Sequence, residues 1–269
     1  MSKIQATFER LQAQGRKALI PFITAGDPDP ALTVPLMHTL VDAGADIIEL
    51  GVPFSDPTCD GPAIQLASER ALRAGLSLGR SIQLAAELRA AATTPIVLFS
   101  YYNPIFKYGL ERFAQAAVAA GVDGLLVVDL PPEEAGPLTA ALAGTGIHLI
   151  RLAAPTSKPE RIRMLAEGAG GFLYLISRTG VTGTGGLDYA SIARHAGAVK
   201  AICPHPVCIG FGISTAADAR ALAPLADGLV VGSALVRIIE QAPAASDLPA
   251  RVAAKIRELR QGMDGACAQ

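Results

Sequence analysis

Short apolar segments recur along the whole chain, and this repetition constrains the fold more than any other feature. Each segment is nearly continuous in apolar character, which is typical of strands in a parallel sheet covered by helices on both faces. Stretches with helical periodicity separate the segments, as in SIQLAAELRAA (81–91). Repeated strand–helix units of this kind predict an α/β fold. The predicted strands cover residues 18–23, 46–50, 95–99, 124–128, 147–153, 171–177, 207–213 and 227–234.

Eight strand–helix units in 269 residues favour a (β/α)8 TIM barrel over an open, doubly wound sheet. An open dinucleotide-binding sheet would have Gly-x-Gly-x-x-Gly after its first strand, and ITAGDPDP contains no such motif. No linker, charge block or low-complexity tract interrupts the repetition. We therefore expect one domain over residues 1–269.

The two ends of the chain lie outside the repeated units. Residues from about 1 to 15 have helical periodicity, with Ile4, Phe8 and Leu11 on one face, and predict an extra N-terminal helix. This segment lacks the apolar core of a secretory signal. The segment QGMDGACAQ, from about 261 to 269, is expected to be frayed.

Composition and charge exclude several functional classes. A formal net charge of −1 and 5% aromatic residues give no electrostatic or stacking surface for nucleic acid or for an anionic membrane. The segment CPHPVC (203–208) could suggest a metal site, but it is not Cys-x-x-Cys and no second ligand pair follows it. Four cysteines are too few for a disulfide framework, and no run of 18 apolar residues exists. We expect a cytoplasmic protein without a metal.

Glu49 is unusual for its position, because it lies within the apolar run DIIEL (46–50). Strand alternation gives it the face of Ile47, opposite Ile48 and Leu50. If those two neighbours pack against helices, Glu49 points into the mouth of the barrel, where TIM-barrel active sites lie. Scarce water there would raise its pKa towards the range useful for proton transfer. The alternative is a glutamate that a buried cation or backbone donors hold for structural reasons.

A second carboxylate, Asp60, follows the same strand in the proline-rich loop VPFSDPTCDGP. One buried carboxylate and one in a wetter loop are a common arrangement for divided acid and base roles. Asp56 is a rival, since Ser-Asp-Pro often opens a turn. Asp60 itself precedes Gly-Pro and could be a turn residue. Spacing alone leaves the functional and the structural interpretation of Asp60 open.

Glycine-containing segments follow the last two predicted strands. GFGIST contains Gly210 and Gly212, and VGSALVRII contains Gly232 and Ser233. Exposed amides at helix N-termini bind anions, and TIM barrels commonly bind phosphate after strands seven and eight. Ser214 is expected to cap the helix that follows the first segment. Each segment alone could be a tight turn, but together they favour a phosphate site.

The connection after the sixth predicted strand, SRTGVTGTGGLDYA, has four glycines between residues 180 and 186. A mobile lid that closes over the substrate would explain them. A disordered surface loop is the alternative.

Several segments, taken in order, carry a resemblance to a known family. They are PFITAGDPDP, ELGVPFSDPTCDGPAIQ, SYYNPIF, DLPPEE, LISRTGVTG, GFGIS and VGSAL. Together they resemble the α subunit of tryptophan synthase over essentially the whole chain. The second segment is specific to that family, whereas many phosphate-binding barrels share the glycine segments. The resemblance implies a lyase of L-tryptophan biosynthesis that cleaves indole-3-glycerol phosphate into indole and glyceraldehyde 3-phosphate.

The resemblance also implies roles for individual residues. Glu49 would be the acid and base of a retro-aldol cleavage, and Asp60 would accept a hydrogen bond from the indole N–H. Thr182 would reach Asp60 when the lid closes. The other implied contacts are Phe22, Phe99, Tyr101, Tyr174 and Phe211 around the indole, and Gly183, Gly212, Gly232 and Ser233 around the phosphate.

Members of the family work with a second subunit. The resemblance implies no cofactor in this chain, and a pyridoxal phosphate-dependent β subunit that receives indole through a tunnel in an α2β2 tetramer. The segments GVPFSDP, NPIF and LPPEE would supply the contact face, with Pro53, Asp56, Asn103, Pro104 and Pro132. One departure is TGGLDY after Gly183, which is shorter and richer in glycine than many lids of the family. We expect its closed state to be less populated without the partner.

Three other interpretations stay open at this point. An isomerase or epimerase of sugar phosphates would place acids, histidines or metal ligands at other strand ends, where this chain offers His148 and Asp129. A Schiff-base aldolase needs a lysine on a strand inside the barrel, and the lysines are all predicted in helices or connections. A catalytically silent barrel that only activates a partner would have no need of Glu49 and Asp60.

Overall fold

The computed structural model describes residues 2–177, 187–241 and 246–267. Eight parallel strands form a closed barrel in sequence order, and the eighth pairs with the first. The prediction of a TIM barrel is therefore confirmed. The strands are β1 (Ala18–Thr24), β2 (Ile48–Gly51), β3 (Ile96–Ser100), β4 (Gly124–Val127), β5 (His148–Ala153), β6 (Leu173–Ile176), β7 (Val207–Gly210) and β8 (Gly228–Val231).

Helices surround the barrel, and several strands are followed by more than one of them. Short 3-10 turns also occur at Pro132–Glu134 and Ala223–Leu225. None of the described helices combines the length and the apolar character needed to cross a membrane. The helices are α1 (Lys3–Ala13), α2 (Pro30–Asp42), α3 (Pro62–Arg73), α4 (Leu78–Arg89), α5 (Tyr102–Tyr108), α6 (Leu110–Ala119), α7 (Gly136–Leu142), α8 (Pro159–Glu167), α9 (Tyr189–Lys200), α10 (Ala216–Leu222), α11 (Ser233–Gln241) and α12 (Leu248–Cys267).

Two apolar clusters hold these layers together, and they separate the two faces of each strand. Because successive side chains of a strand point to opposite faces, each strand contributes to both clusters. The inner cluster fills the barrel and the outer cluster lies between the sheet and the helices. The inner cluster includes Ile20, Phe22, Ile47, Val97, Leu126 and Ile150, and the outer cluster includes Ile23, Ile48, Leu50, Leu98 and Leu125.

Helix α1 covers the end of the barrel where the strands begin. The Ser2 hydroxyl accepts a hydrogen bond from the Gln5 N–H at 3.2 Å and caps the helix. Ile4, Phe8 and Leu11 are buried, and the rings of Phe8 and Phe172 lie 5.9 Å apart. The other end of the barrel, where the strands finish, is therefore the end open for a site.

The C-terminal segment differs from its prediction. Helix α12 continues through residues 261–267, so the expectation of a frayed tail from about Gln261 is wrong for those residues. The reason is apolar spacing, because Ile256, Leu259 and Met263 follow helical periodicity and all three are fully buried. Residues 268 and 269 lie outside the described part of the chain.

Candidate active site

Glu49 lies on β2 with its side chain inside the barrel. Ile47 belongs to the inner cluster, whereas Ile48 and Leu50 belong to the outer one. The alternation therefore places the Glu49 carboxyl on the inner face, as the sequence indicated. Strand β2 begins two residues later than predicted, because the Asp46 carboxylate turns back and accepts a hydrogen bond from the Leu19 N–H at 3.0 Å.

The surroundings of Glu49 favour its protonated form. The residue is 1% exposed, and its Oε1 atom has no hydrogen-bond partner among the described residues. Burial, and to a smaller extent the charge of Asp60, raise the pKa of Glu49 to about 8. A glutamate held for structural reasons would have a cation or backbone donors at both oxygens. In the described residues the Oε1 atom has neither a cation nor a donor, which favours the functional interpretation.

Asp60 is also buried, but its pKa is raised less than that of Glu49. It is 4% exposed, and burial raises its pKa to about 6, while a hydrogen bond from Tyr101 opposes that rise. Its rival Asp56 is exposed, and its carboxylate accepts a hydrogen bond from the neighbouring Ser55 hydroxyl at 2.6 Å. Asp60 is therefore the carboxylate of this loop that faces the site, and Asp56 is the turn residue.

The Tyr101 hydroxyl holds the Asp60 loop in place. It accepts a hydrogen bond from the Cys59 N–H at 3.0 Å and donates to the Asp60 carboxylate. Burial and the charge of Asp60 raise the pKa of Tyr101, so the phenol stays protonated. The sequence interpretation assigned Tyr101 only to the indole contact. Its role as a support for Asp60 had no local signal, because 42 residues separate the two hydrogen-bonded residues Cys59 and Tyr101.

Aromatic rings line the barrel near Glu49. The rings of Phe22 and Phe99 meet edge to face at 5.3 Å and 76°, and those of Tyr174 and Phe211 at 5.8 Å and 73°. Gly51 makes room for the Phe22 ring, because a Cβ atom at position 51 would lie 2.5 Å from that ring. These four predicted indole contacts therefore form an apolar wall beside a buried carboxyl group, which suits a flat aromatic ligand.

The glycine segments after β7 and β8 adopt the conformations that anion binding requires. Phe211 and Gly212 both have positive φ angles, 74° and 78°. Gly232 accepts the first helical hydrogen bond of α11, from the Leu235 N–H at 2.9 Å. The amides of Ser233 and Ala234 therefore have no acceptor within the helix. Ser233 is the first residue of that helix. Amides at such a helix start attract phosphate.

Other predicted positions fall elsewhere. Thr182 and Gly183, and with them the predicted lid, lie outside the described residues. The expectation that Ser214 caps α10 is wrong, because Thr215 is the cap. The Thr215 hydroxyl accepts from the Asp218 N–H, and the Asp218 carboxylate accepts from the Thr215 N–H, which is a capping box. The Thr-x-x-Asp spacing in TAAD was the signal for it.

Thr24, at the end of β1, is a polar residue of the site that the sequence interpretation missed. It shares the inner face with Phe22 by alternation, and its hydroxyl oxygen is buried without a hydrogen-bond partner among the described residues. The signal was available, because a threonine ends the apolar run ALIPFIT. A buried hydroxyl without a partner faces the space that a substrate would occupy.

Known proteins that are similar to this chain in sequence and in fold include tryptophan synthase α chains. The family model described as "Tryptophan synthase alpha chain" matches residues 8–267. The tryptophan synthase alpha chain of Dechloromonas aromatica (strain RCB) is 53% identical over 265 residues, which are 98% of this chain and 98% of that protein. That of Burkholderia pseudomallei (strain 1106a) is 53% identical over 267 residues, covering 99% and 98% of the two chains.

Solved structures agree with these sequence relatives. The crystal structure of tryptophan synthase subunit alpha from Legionella pneumophila str. Paris has a TM-score of 0.92 and 41% identity, covering 98% of this chain and 99% of that one. A crystal structure of tryptophan synthase from M. tuberculosis in an aminoacrylate-bound form has a TM-score of 0.88 and 36% identity, covering 98% and 100%. The chain therefore belongs to the tryptophan synthase alpha chain family, and it is a lyase subunit of tryptophan biosynthesis.

Proposed function

We propose that this chain cleaves indole-3-glycerol phosphate to indole and glyceraldehyde 3-phosphate, with Glu49 and Asp60 as its catalytic residues. The observation that supports this most strongly is the separation of the two pKa values. At neutral pH the Glu49 carboxyl, with a pKa of about 8, retains its proton, whereas Asp60, with a pKa of about 6, is mostly ionised. One group can therefore donate a proton while the other stabilises positive charge.

The reaction needs two proton transfers and no net proton. Glu49 donates its proton to C3 of the indole ring, which gives an indolenine with positive charge at nitrogen. Asp60 accepts a hydrogen bond from the ring N–H and stabilises that charge. The ionised Glu49 carboxylate then removes the proton of the side-chain hydroxyl next to C3. The carbon–carbon bond breaks, its electron pair returns to the ring, and an aldehyde forms.

Binding of the two ends of the substrate positions it for these steps. The indole would lie against Phe22, Phe99, Tyr174 and Phe211, and the phosphate would lie on the amides at Gly212, Gly232 and Ser233, with Gly183 joining from the lid. Thr24 would offer its free hydroxyl to the glycerol chain. Fixing both ends of the substrate holds C3 next to the buried acid. The translational and rotational entropy is then lost on binding and not in the reaction step, which lowers the barrier.

We further propose a pyridoxal phosphate-dependent β subunit as partner, in an α2β2 tetramer in the cytoplasm, with no cofactor in this chain. The M. tuberculosis relatives are structures of tryptophan synthase, one of them in an aminoacrylate-bound form. The contact face would include Pro53, Asp56, Asn103, Pro104 and Pro132. Phe106, 62% exposed on the same helix as Asn103 and Pro104, adds a large apolar side chain to that face.

The competing activities find less support. His148 is the first residue of β5, so it lies at the end of the barrel away from Phe22 and Phe99. The Asp129 carboxylate accepts a hydrogen bond from the Tyr102 N–H at 2.8 Å. His148 is therefore not placed for an isomerase, and the Asp129 carboxylate is already engaged with the Tyr102 amide. A Schiff-base aldolase lacks its lysine, since every lysine lies in a described helix or connection and none on a strand: Lys3, Lys17, Lys107, Lys158, Lys200 and Lys255.

A cleavage assay tests the proposal directly. Purified protein is mixed with indole-3-glycerol phosphate, and indole release is followed. We expect turnover in the parent chain and at least a ~10²-fold loss in both Glu49→Gln and Asp60→Asn. Asp56→Asn is the matched control, because it changes an exposed carboxylate in the same loop. Absence of indole from the parent chain, with and without a β subunit, would leave a silent partner-activating barrel as the better interpretation.

A further inference from the structure

Arg151 is a buried cation outside the active site that has no counter-ion among the described residues. It lies on β5 between Ile150 and Leu152, which face the barrel interior, so its side chain points outward to the helix layer. It is 6% exposed. Its Nε atom is buried without a partner, and no hydrogen bond or ion pair joins its guanidinium to the described residues.

An unpaired buried guanidinium is costly, so its retention needs a reason. Removing a charged group from water without giving it a partner is unfavourable. Burial and the nearby charge of Arg161 lower the pKa of Arg151, but an arginine stays charged at any physiological pH. The C-terminal end of α8 lies close, since a Cβ at Gly168 would be 3.8 Å from the guanidinium. A helix end offsets only a small part of the cost of a buried charge.

The guanidinium borders a groove between the β4–α7 connection and α8. The groove has a volume of about 260 Å³, and Leu130, Pro131, Pro132 and Leu165 contribute much of its apolar lining. This volume lies just below the range typical of drug-sized ligands, roughly 300–1,000 Å³, so the groove suits a smaller molecule.

Two further charged side chains border the groove, and both already have partners. Arg161 forms an ion pair with Glu133, and the Asp129 carboxylate accepts a hydrogen bond from the Tyr102 N–H. Arg151 is therefore the cation of the groove that is both buried and without an ion pair among the described residues. The arrangement is one buried cation at an apolar wall, which matches an anionic head on an apolar body.

We propose that this groove binds a small organic carboxylate, whose two oxygens accept hydrogen bonds from Arg151 while its apolar part packs on Leu165 and the prolines. A carboxylate fits the planar donor fork of a guanidinium with two parallel hydrogen bonds. It would neutralise the charge of Arg151, whose side chain lies on the face of β5 opposite to that of Ile150 and Leu152.

Benzoate and benzamide are suitable probes, because they share an aromatic body and differ in charge. We expect benzoate to bind saturably and to shift the Arg151 Nε–H resonance and the Leu165 methyl resonances of labelled full-length protein. Benzamide should shift them little. Arg151→Met should weaken benzoate binding by about tenfold or more, since a charged hydrogen bond is lost. Folding of this variant should survive, because an apolar side chain of similar length replaces an unpaired charge.

Arg163→Met is the matched control, because Arg163 is an exposed cation on the same helix α8 and does not line the groove. Its benzoate affinity should equal that of the parent chain. Equal affinity of Arg151→Met and the parent, equal binding of benzamide, or the absence of any saturable shift at millimolar benzoate would each overturn the proposal. Shifts confined to barrel-mouth residues would do the same, because they would place benzoate on the phosphate site instead.

Discussion

Glu49→Gln should stabilise the folded chain, and the gain should grow with pH. Folding moves the pKa of Glu49 from an ordinary value of 4.5 to about 8. Between these values the unfolded chain loses a proton that the folded chain keeps. The free energy of unfolding of the parent chain therefore falls as pH rises through this window. Glutamine has the shape of the protonated acid and cannot ionise, so the variant escapes this loss.

The size of the effect follows from the same two pKa values. At about 1.4 kcal/mol per pKa unit, the full difference approaches roughly 5 kcal/mol above pH 8. Below the unfolded pKa of 4.5 it vanishes, because both states are then protonated. Between about pH 5 and about pH 8 the stability difference should grow by about 3 kcal/mol in favour of Glu49→Gln.

Urea unfolding at a series of pH values measures this difference. Glu167→Gln serves as the control, because Glu167 is an exposed glutamate at the end of α8 and its replacement should shift stability little at any pH. A Glu49→Gln difference that stays constant from pH 5 to pH 8 would refute the reasoning. It would mean that Glu49 ionises as readily in the folded chain as in the unfolded one.

Three other substitutions test the supports of the fold and site. Tyr101→Phe should lower turnover by about tenfold and move the acidic limb of the pH–rate profile to higher pH. The reason is the loss of a hydrogen bond that lowers the pKa of Asp60. An acidic limb at the same pH as in the parent chain would contradict this. Thr215→Ala should reduce the free energy of unfolding by about 1 kcal/mol, measured in urea, through loss of the capping box. Arg70→Leu should cost about 3–5 kcal/mol in the same assay, because the fully buried Asp27 carboxylate loses its ion pair; a cost below about 1 kcal/mol would show that Asp27 is neutral in the fold.

The barrel and the orientation of Glu49 could be predicted because both depend on local periodicity. Strands buried on two faces give continuous apolar runs, and alternation within DIIEL placed Glu49 opposite Ile48 and Leu50. The spacing of Ile256, Leu259 and Met263 carried the same kind of information about α12. All three are fully buried, which is why the helix continues where fraying was predicted.

Contacts between distant segments could not be predicted in the same way. Nothing near Asp60 indicates that the Tyr101 hydroxyl, which follows the next strand, supports its loop. Closure of the barrel brings β2 and β3 together in one register, Gly51 beside Phe99, and so sets the two loops side by side. Arg151 is similar, because only the packed helices show that its Nε atom has no partner in the described part of the chain.

The most direct test of the account is the pKa of Glu49 itself. The side-chain carboxyl carbon of Glu49 can be followed by ¹³C NMR across a pH titration, with the resonance assigned by its loss in Glu49→Gln. We predict a midpoint near 8, with the group protonated at neutral pH. A midpoint near the ordinary value of 4.5 would contradict the account, because Glu49 would then have no proton to give to the indole ring at neutral pH.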